Sequence, residues 1–287
     1  MKAYVPEYEL VAPKKLDDAL VLLSNEVGAW RPIAGGTDLM VLFEAGKLPY
    51  RRLVSLHALR ELRGIEVTES HVTLGALTTY TEIQRHESLR REFPLLARAA
   101  SWTGAVATQN RGTLAGNIAN ASPAADSPPA LLAYDAKLEL ISARGSRRVP
   151  YSDFHTGYKT SVMAADEIIG RIRLPRSTSG CAQYLRKVGT RKAQAISKVA
   201  LAGLAKVSGR TVERIRVALA SVAPVPLRCV ATENALVGRT LDREVIDLAK
   251  STIASEIEPI TDIRSTESYR RHAAMNLLGE FLESLIG

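Results

Sequence analysis

Apolar and polar positions alternate by two in some stretches and recur by three and four in others, so strands and helices are mixed along the whole chain. After Pro13, the segment Lys14 to Leu23 sets Leu16, Ala19, Leu20 and Leu23 on one helical face. A short strand follows at Trp30 to Ala34, then a glycine pair and a helix from Leu39 to Ala45 closed by Gly46. Arg52 to Leu56 reads as a strand. Ile65 to Thr68 and His71 to Gly75 read as a hairpin turned at Glu69-Ser70. Thr79 and Glu82 have capping-box spacing, and Pro94 to Ala100 suits a helix beyond them.

From Ala107 to Pro129 neither period is visible. The stretch is rich in Asn, Gly, Ala, Ser and Pro, and is expected to be a long functional loop. A helix at Ala130 to Tyr134 follows, then a hairpin of Lys137 to Ser142 with Arg147 to Val149 and a strand from Glu167 to Leu174. Arg176 to Gly180 is the best linker. Beyond it come three strands, Ala182 to Val188, Ser197 to Val207 and Val212 to Val222. Three helices end the chain, Ala231 to Val237, Arg243 to Ile257 and Thr266 to Leu285. The last sets Ala274, Leu277, Leu278, Phe281 and Leu285 on one face. Strands followed by helices predict an α+β C-terminal domain.

With 287 residues, 46% hydrophobic and 24% charged, the composition excludes disordered, collagenous and coiled-coil classes. The length allows two domains, read as 1–176, in two lobes of about 1–57 and 58–176, and 181–287. No apolar run reaches the roughly 18 to 20 residues of a membrane span, and Met1 to Glu7 has no signal-peptide core. The expected location is the cytoplasm, with no membrane partner.

The net charge of +8 raises the question of nucleic acid. Basic residues are interspersed with acids throughout, and there is no basic arm or aromatic RNA-binding signature, so no nucleic-acid partner is expected. The excess suits a solvated surface or a face for an acidic protein, with Arg186, Arg191, Lys192 and the Arg264 to Arg271 region as the part expected to meet it. Only Cys181 and Cys229 occur, and the five histidines are scattered, so no zinc or iron–sulfur site is expected in this chain.

Two glycine-containing loops carry the candidate chemistry. The first is Ile33-Ala34-Gly35-Gly36-Thr37-Asp38-Leu39-Met40, a strand, a glycine pair and a helix start, where converging backbone N–H groups can hold a diphosphate. There is no GxGxxG and no P-loop. The second runs from Arg111 to Pro129. Its small side chains permit close approach of a flat ligand, and Thr113, Asn117, Ser122 and Asp126 offer polar contacts. A plain tight turn and a solvent-exposed loop are the bland alternatives. Two such loops raise the expectation of one large nucleotide held between two lobes.

At these motifs the chain resembles the FAD-binding medium subunits of the molybdenum hydroxylases, of the xanthine dehydrogenase and carbon monoxide dehydrogenase kind. The resemblance rests on Ala34 to Asp38, on Gly112-Thr113-Leu114-Ala115-Gly116-Asn117-Ile118 with Ser122 and Asp126, on Arg186 to Lys192 through Ile196 to Val199, and on Thr261 to Thr266 with Tyr269-Arg270. It implies a two-lobed FAD-binding domain of the vanillyl-alcohol-oxidase type, followed by an α+β domain of the carbon monoxide dehydrogenase flavoprotein type. By resemblance, Ile33 to Met40 and Thr113 to Asn117 hold FAD, with Ile169 also in contact. Asp126 lies by the flavin ring, and Lys187 and Ile196 reach it from the C-terminal side. A cationic Lys187 there would favour the negative charge that develops on reduction.

The sequence departs from the family at Ala115, where a second glycine is usual, and at Ala195, where many relatives carry an acid. Neither flavin motif offers a histidine or cysteine for covalent attachment, so noncovalent FAD is implied. The implied partners are a large subunit with the molybdenum cofactor and a small subunit with [2Fe–2S] clusters. Electrons would pass through this FAD to NAD or another acceptor, and the Lys187 to Lys192 stretch resembles the xanthine dehydrogenase type more than the carbon monoxide type. Bound yellow flavin would set a nonredox nucleotide-binding module aside. Copurifying large and small subunits would set aside a self-contained flavin oxidase.

Overall fold

The computed structural model describes residues 7–191 and 194–286. Met1 to Pro6, read above for a leader, and Lys192 lie outside the described residues. The chain is α+β, built on three main sheets. The first is a small parallel sheet of β1 (Glu9–Val11), β3 (Arg52–Ser55) and β2 (Arg31–Ile33) in the order β1-β3-β2, with α1 (Leu16–Asn25) and α2 (Leu39–Glu44) between its strands. Parallel neighbours need crossovers, and the two helices supply them. β1 is too short to show a period, which is why the sequence pattern does not reveal it.

The second sheet is antiparallel, in the order β4-β5-β10-β6-β7: Ile65–Val67, His71–Gly75, Ile168–Pro175, Lys137–Ser142 and Gly145–Pro150. Leu138 and Leu140 of β6 alternate into the core with exposed or half-buried neighbours, as a one-sided strand requires. A set of helices stands between β5 and β6: α3 (Tyr80–Arg85), α4 (Glu87–Glu92), α5 (Pro94–Trp102), α6 (Val106–Arg111), α7 (Leu114–Ala119) and α8 (Pro128–Ala133). The Thr79 capping box is present: its hydroxyl accepts from the Glu82 N–H and the Glu82 carboxylate accepts from the Thr79 N–H.

The expected long loop at 107–129 is therefore corrected. Much of it is α6, α7 and the start of α8. Each has only six residues, under two turns, so no amphipathic repeat can accumulate in the sequence.

The third sheet has the order β11-β12-β13-β14: Ala182–Val188, Val199–Ser208, Thr211–Ala220 and Leu227–Arg228. The unbroken apolar run of β12 is buried on both faces. Val199, Leu201 and Ala205 join a core with α9 (Val230–Leu236), α10 (Arg243–Glu256) and α11 (Glu267–Glu283), while Ala202 and Leu204 join the core of the residues before the linker. Gly203, on the helix side, makes room for the Phe281 ring; a Cβ there would lie 2.4 Å from it. Polar links also cross this boundary: Tyr134 donates to Gln183 Oε1 at 2.6 Å, and Asp135 pairs with Arg216 and Arg228. Among the described residues no helix is long and apolar enough to cross a membrane.

Beside the second sheet, β8 (His155–Gly157) and β9 (Thr160–Ser161) form a small ribbon. The His155 ring stands edge-on to Tyr151 and Phe154. Its Nε2 meets the Tyr151 hydroxyl at 3.1 Å, and its Nδ1 is buried without a partner. Burial holds its pKa down at about 4 against an ordinary 6.5. The unfolded chain thus binds the extra proton first, and stability is expected to fall as pH drops from 6.5 towards 4, by roughly 1–3 kcal/mol. His155→Gln should flatten that part of a stability–pH profile measured by urea unfolding; an unchanged slope would refute the assignment.

Candidate functional site

The two glycine loops lock into one another. Gly35 sits so close to the second loop that a Cβ on it would lie 1.9 Å from the Arg111 carbonyl oxygen. Gly112 faces Thr37 and Tyr80: a Cβ there would lie 3.3 Å from Thr37 Oγ1 and 3.1 Å from the Tyr80 ring. Asn120 closes the contact by donating from Nδ2 to Asp38 Oδ1 at 3.2 Å. Gly36 takes the left-handed conformation, φ 75°, that turns the chain from β2 into α2. On the other side, Thr113 caps α7 by accepting from the Gly116 N–H at 3.1 Å, and Leu114 donates its N–H to the Thr78 carbonyl. Helix starts and tight backbone, rather than long side chains, form this floor.

Above it lies a cleft of about 690 Å³ between the small parallel sheet and the antiparallel sheet. Ala34, Gly35, Gly36, Thr37, Asp38 and Leu39 line it from the first loop, Thr113, Ala115, Gly116 and Asn117 from the second, and Ile169 from β10. The cleft thus gathers most of the residues expected from the sequence. Ile33 and Met40 flank Gly36 but are not part of the lining, Met40 being half exposed, and Leu114 is buried in the core. Ser122 accepts weakly from the Ala124 N–H at 3.3 Å and, like Asp126, Lys187 and Ile196, stands outside the cleft lining; Ile196 is half exposed.

Lys187 is not a lone cation. Its Nζ donates to Asp126 Oδ2 at 2.8 Å, and Ser197 Oγ donates to Asp126 Oδ1, also at 2.8 Å. Both partners of the pair are largely buried, with side chains 11% exposed. Burial raises the Asp126 pKa, and the Lys187 ammonium opposes that rise. Any electrostatic influence from here comes from the Asp126–Lys187 ion pair acting together, with Lys187 as its cationic member. The departure at Ala195 also has a structural counterpart. Its Cβ would lie 3.2 Å from a Cβ on Gly189, so a small residue packs there.

Several lining residues carry no sequence signal. Tyr80 reaches the cleft from α3, its hydroxyl buried beside those of Ser127 and Thr103 but without a hydrogen bond of full geometry, and burial pushes its pKa up. Lys159 to Ser161 and Met163 to Ala165 form the far wall. Glu167 anchors that wall, accepting from Arg147 at 2.7 and 2.8 Å and from the Ala164 N–H at 2.8 Å. Chemically the cleft suits an elongated ligand with an anionic centre over the glycine floor. Asn117 Oδ1, buried and without a partner, is an open acceptor in the cleft lining.

Residues 6–177 match the family described as the FAD binding domain in molybdopterin dehydrogenase, and residues 184–285 match the CO dehydrogenase flavoprotein C-terminal domain. The chain belongs to the FAD-binding medium subunits of the molybdenum hydroxylase family. It is 31% identical to the glyceraldehyde dehydrogenase medium chain of Sulfolobus acidocaldarius, over 93% of this chain and 94% of the other. It is 30% identical to a xanthine dehydrogenase FAD-binding subunit of Escherichia coli O157:H7, over 94% and 93%. Among solved structures it is similar to a carbon monoxide dehydrogenase from Hydrogenophaga pseudoflava lacking the Mo-pyranopterin moiety, with TM-score 0.92, 29% identity and 96% of each chain covered. As a medium subunit of this family the chain is an oxidoreductase component. Relatives of xanthine dehydrogenase and carbon monoxide dehydrogenase type occur together among the proteins it resembles.

Proposed function

We propose that this chain carries FAD and relays electrons within a cytoplasmic molybdenum hydroxylase complex. It would take them from [2Fe–2S] clusters on a small subunit and pass them to NAD or another acceptor, while a large subunit holds the molybdenum cofactor. The observation that carries this reading is the pair of interlocked glycine loops flooring the cleft. The fit is a matter of backbone shape and polarity: Gly35 lets the first loop close onto the Arg111 backbone, Gly36 takes the left-handed turn that a side chain resists, and Asn117 Oδ1 is an orphaned acceptor in the cleft.

Residues 1–176 form the FAD-binding unit in this reading and 181–287 the second unit. Ile33 to Met40 and Thr113 to Asn117 hold the diphosphate and its neighbours, and Ile169 forms part of the wall. Ser122, Asp126, Lys187 and Ile196 stand towards the flavin ring. Bound FAD supplies both hydride and single-electron chemistry. The chain's own part is to bind, orient and tune. Tyr80 stays a neutral phenol at neutral pH, since burial raises its pKa, so it brings a hydrogen-bonding group without a charge. The Asp126–Lys187 pair brings a fixed dipole. The Lys187 to Arg191 stretch favours the xanthine dehydrogenase type; Lys192 completes that motif and lies outside the described residues.

No cysteine lies in either loop, and Cys181 and Cys229 are respectively half-buried and buried, so FAD is held noncovalently. Acid precipitation of the yellow protein is expected to leave intact FAD in the supernatant. Flavin retained in the pellet, or FMN in its place, would refute the assignment.

A further inference from the structure

The fourth motif, Thr261 to Thr266 with Tyr269-Arg270, lies outside the cleft lining, yet Arg270 is the one buried arginine among the described residues. Its Nη2 donates to Asp262 Oδ1 at 2.7 Å. Its Nη1 donates to two backbone carbonyls, Lys198 O at 2.8 Å and Ser221 O at 3.0 Å. Asp262 is fixed in turn by the Arg264 and Ser265 N–H groups, at 2.9 and 3.1 Å.

The two carbonyls belong to the segment entering β12 and the segment leaving β13, and both reach the second glycine loop. Ser197 Oγ donates to Asp126 Oδ1, the Ser221 N–H donates to Pro123 O at 2.8 Å, and Ser221 Oγ donates to Ser197 O at 2.9 Å. Ser221 holds a left-handed φ of 68°, a conformation that a non-glycine residue keeps only where its surroundings over-determine it. Arg270 supplies one of those determinants by binding the Ser221 carbonyl. A continuous set of hydrogen bonds thus runs from Asp262 through Arg270, Ser221 and Ser197 to Asp126.

We propose that Arg270 is a positioning residue which, through Ser221 and Ser197, fixes the Asp126–Lys187 pair and so sets the reduction potential and affinity of the FAD. The inference rests on the FAD-binding reading above. A purely structural arginine would pin the two strand ends for stability alone. The distinction lies in Ser197, whose buried hydroxyl spends its proton on a carboxylate rather than on the strand. An arginine is needed at 270 because only its planar fork can meet a carboxylate and two carbonyls together; lysine keeps the charge and loses the geometry.

The test uses the full chain with FAD bound and compares Ser197→Ala, Arg270→Lys and Asp126→Asn, with Arg271→Ala as a control. Arg271 sits on the same helix but holds the Ala254 and Ile257 carbonyls at the end of α10. Ser197→Ala and Arg270→Lys are expected to move the flavin midpoint potential in the same direction as Asp126→Asn. Each should also raise the FAD dissociation constant about tenfold, the loss typical of one hydrogen bond to a charged group. Ser197→Ala added to Asp126→Asn should shift the potential no further. Arg271→Ala should lower the melting temperature and leave the potential alone. Potential and affinity unchanged in both Ser197→Ala and Arg270→Lys, with only a lower melting temperature, would overturn the inference; if Arg270→Lys fails to fold, Ser197→Ala decides it alone. A wild-type chain that takes up no FAD overturns the parent reading and this one with it. A wild type that binds FAD beside unshifted variants overturns this one alone.

Discussion

Gly35→Ala is expected to give a folded, colourless protein. The added Cβ would lie 1.9 Å from the Arg111 carbonyl oxygen and 2.7 Å from its carbon, against an ordinary carbon–oxygen contact of about 3.3 Å. Both atoms are backbone, so no side chain can swing away, and the two loops must part by roughly 1 Å. Parting the loops breaks the backbone contacts that would hold a diphosphate, and losing two hydrogen bonds to a charged group raises the FAD dissociation constant on the order of 100-fold. The fold should survive because the main core, around Leu74, Leu140 and Ile172, does not depend on the loop contact. Gly36→Val should also abolish binding, by another route. Its nearest neighbours would be Ile33 Cδ1 at 3.4 Å and Met40 Cγ at 3.5 Å, so there is room; the obstacle is the left-handed φ of 75°, which a β-branched residue resists. Gly36→Asn should then retain more FAD than Gly36→Val, since asparagine tolerates that conformation. Flavin fluorescence titration beside far-ultraviolet circular dichroism checks all three. Wild-type occupancy in Gly35→Ala would show that the loops are not the cradle.

Both loops are legible from residue type because their geometry needs glycine. At Gly36 the requirement is conformational and at Gly35 it is a close approach, and each leaves a mark in the sequence that no helix or strand period gives. β6 is legible from alternation, since Leu138 and Leu140 are buried between exposed or half-buried neighbours, while its hairpin partner β7 and the buried strand β5 are marked instead by the turns that flank them. Three things are hidden for physical reasons. α6 and α7 are too short to build a periodic face, so the stretch reads as loop. The far wall of the cleft, Lys159 to Ser161 with Met163 to Ala165, is the two-residue strand β9 and the segment after it, held by Glu167, which accepts from the Ala164 N–H and pairs with Arg147 twenty residues away. The pairing of Lys187 with Asp126 joins residues 61 apart, and nothing local to either announces it. A single lysine in a basic strand looks like a free charge until the fold supplies its partner. The site therefore divides by origin: its floor is written in local backbone demands, while its walls and its electrostatics depend on tertiary placement.

Turnover of a hydroxylation substrate is expected from the reconstituted complex and not from this chain alone. A [2Fe–2S] cluster takes four thiolates or a mixed thiolate and histidine set, and the chain has two cysteines. Cys229 is fully buried in the helix-side core, and Cys181 accepts a hydrogen bond from Arg214 at 3.0 Å near the linker. Among the described residues no group of three or more histidine, cysteine or acidic side chains is placed to hold a metal ion. In the proposed reading the cleft holds FAD near the Asp126–Lys187 pair, which would serve exchange with a nicotinamide but not the opening of a substrate C–H bond. The purified flavoprotein should accordingly pass electrons slowly from NADH to an artificial acceptor while leaving xanthine and hypoxanthine untouched. Adding the large and small partners should switch on substrate oxidation from nothing measurable to steady turnover. Purine oxidation by the complex would support the xanthine dehydrogenase type; oxidation of carbon monoxide in its place would move the chain to the other branch with its electron-relay role intact. Purine turnover by the chain alone would refute the subunit reading altogether, because it would require substrate chemistry at a site whose known parts can only bind and tune.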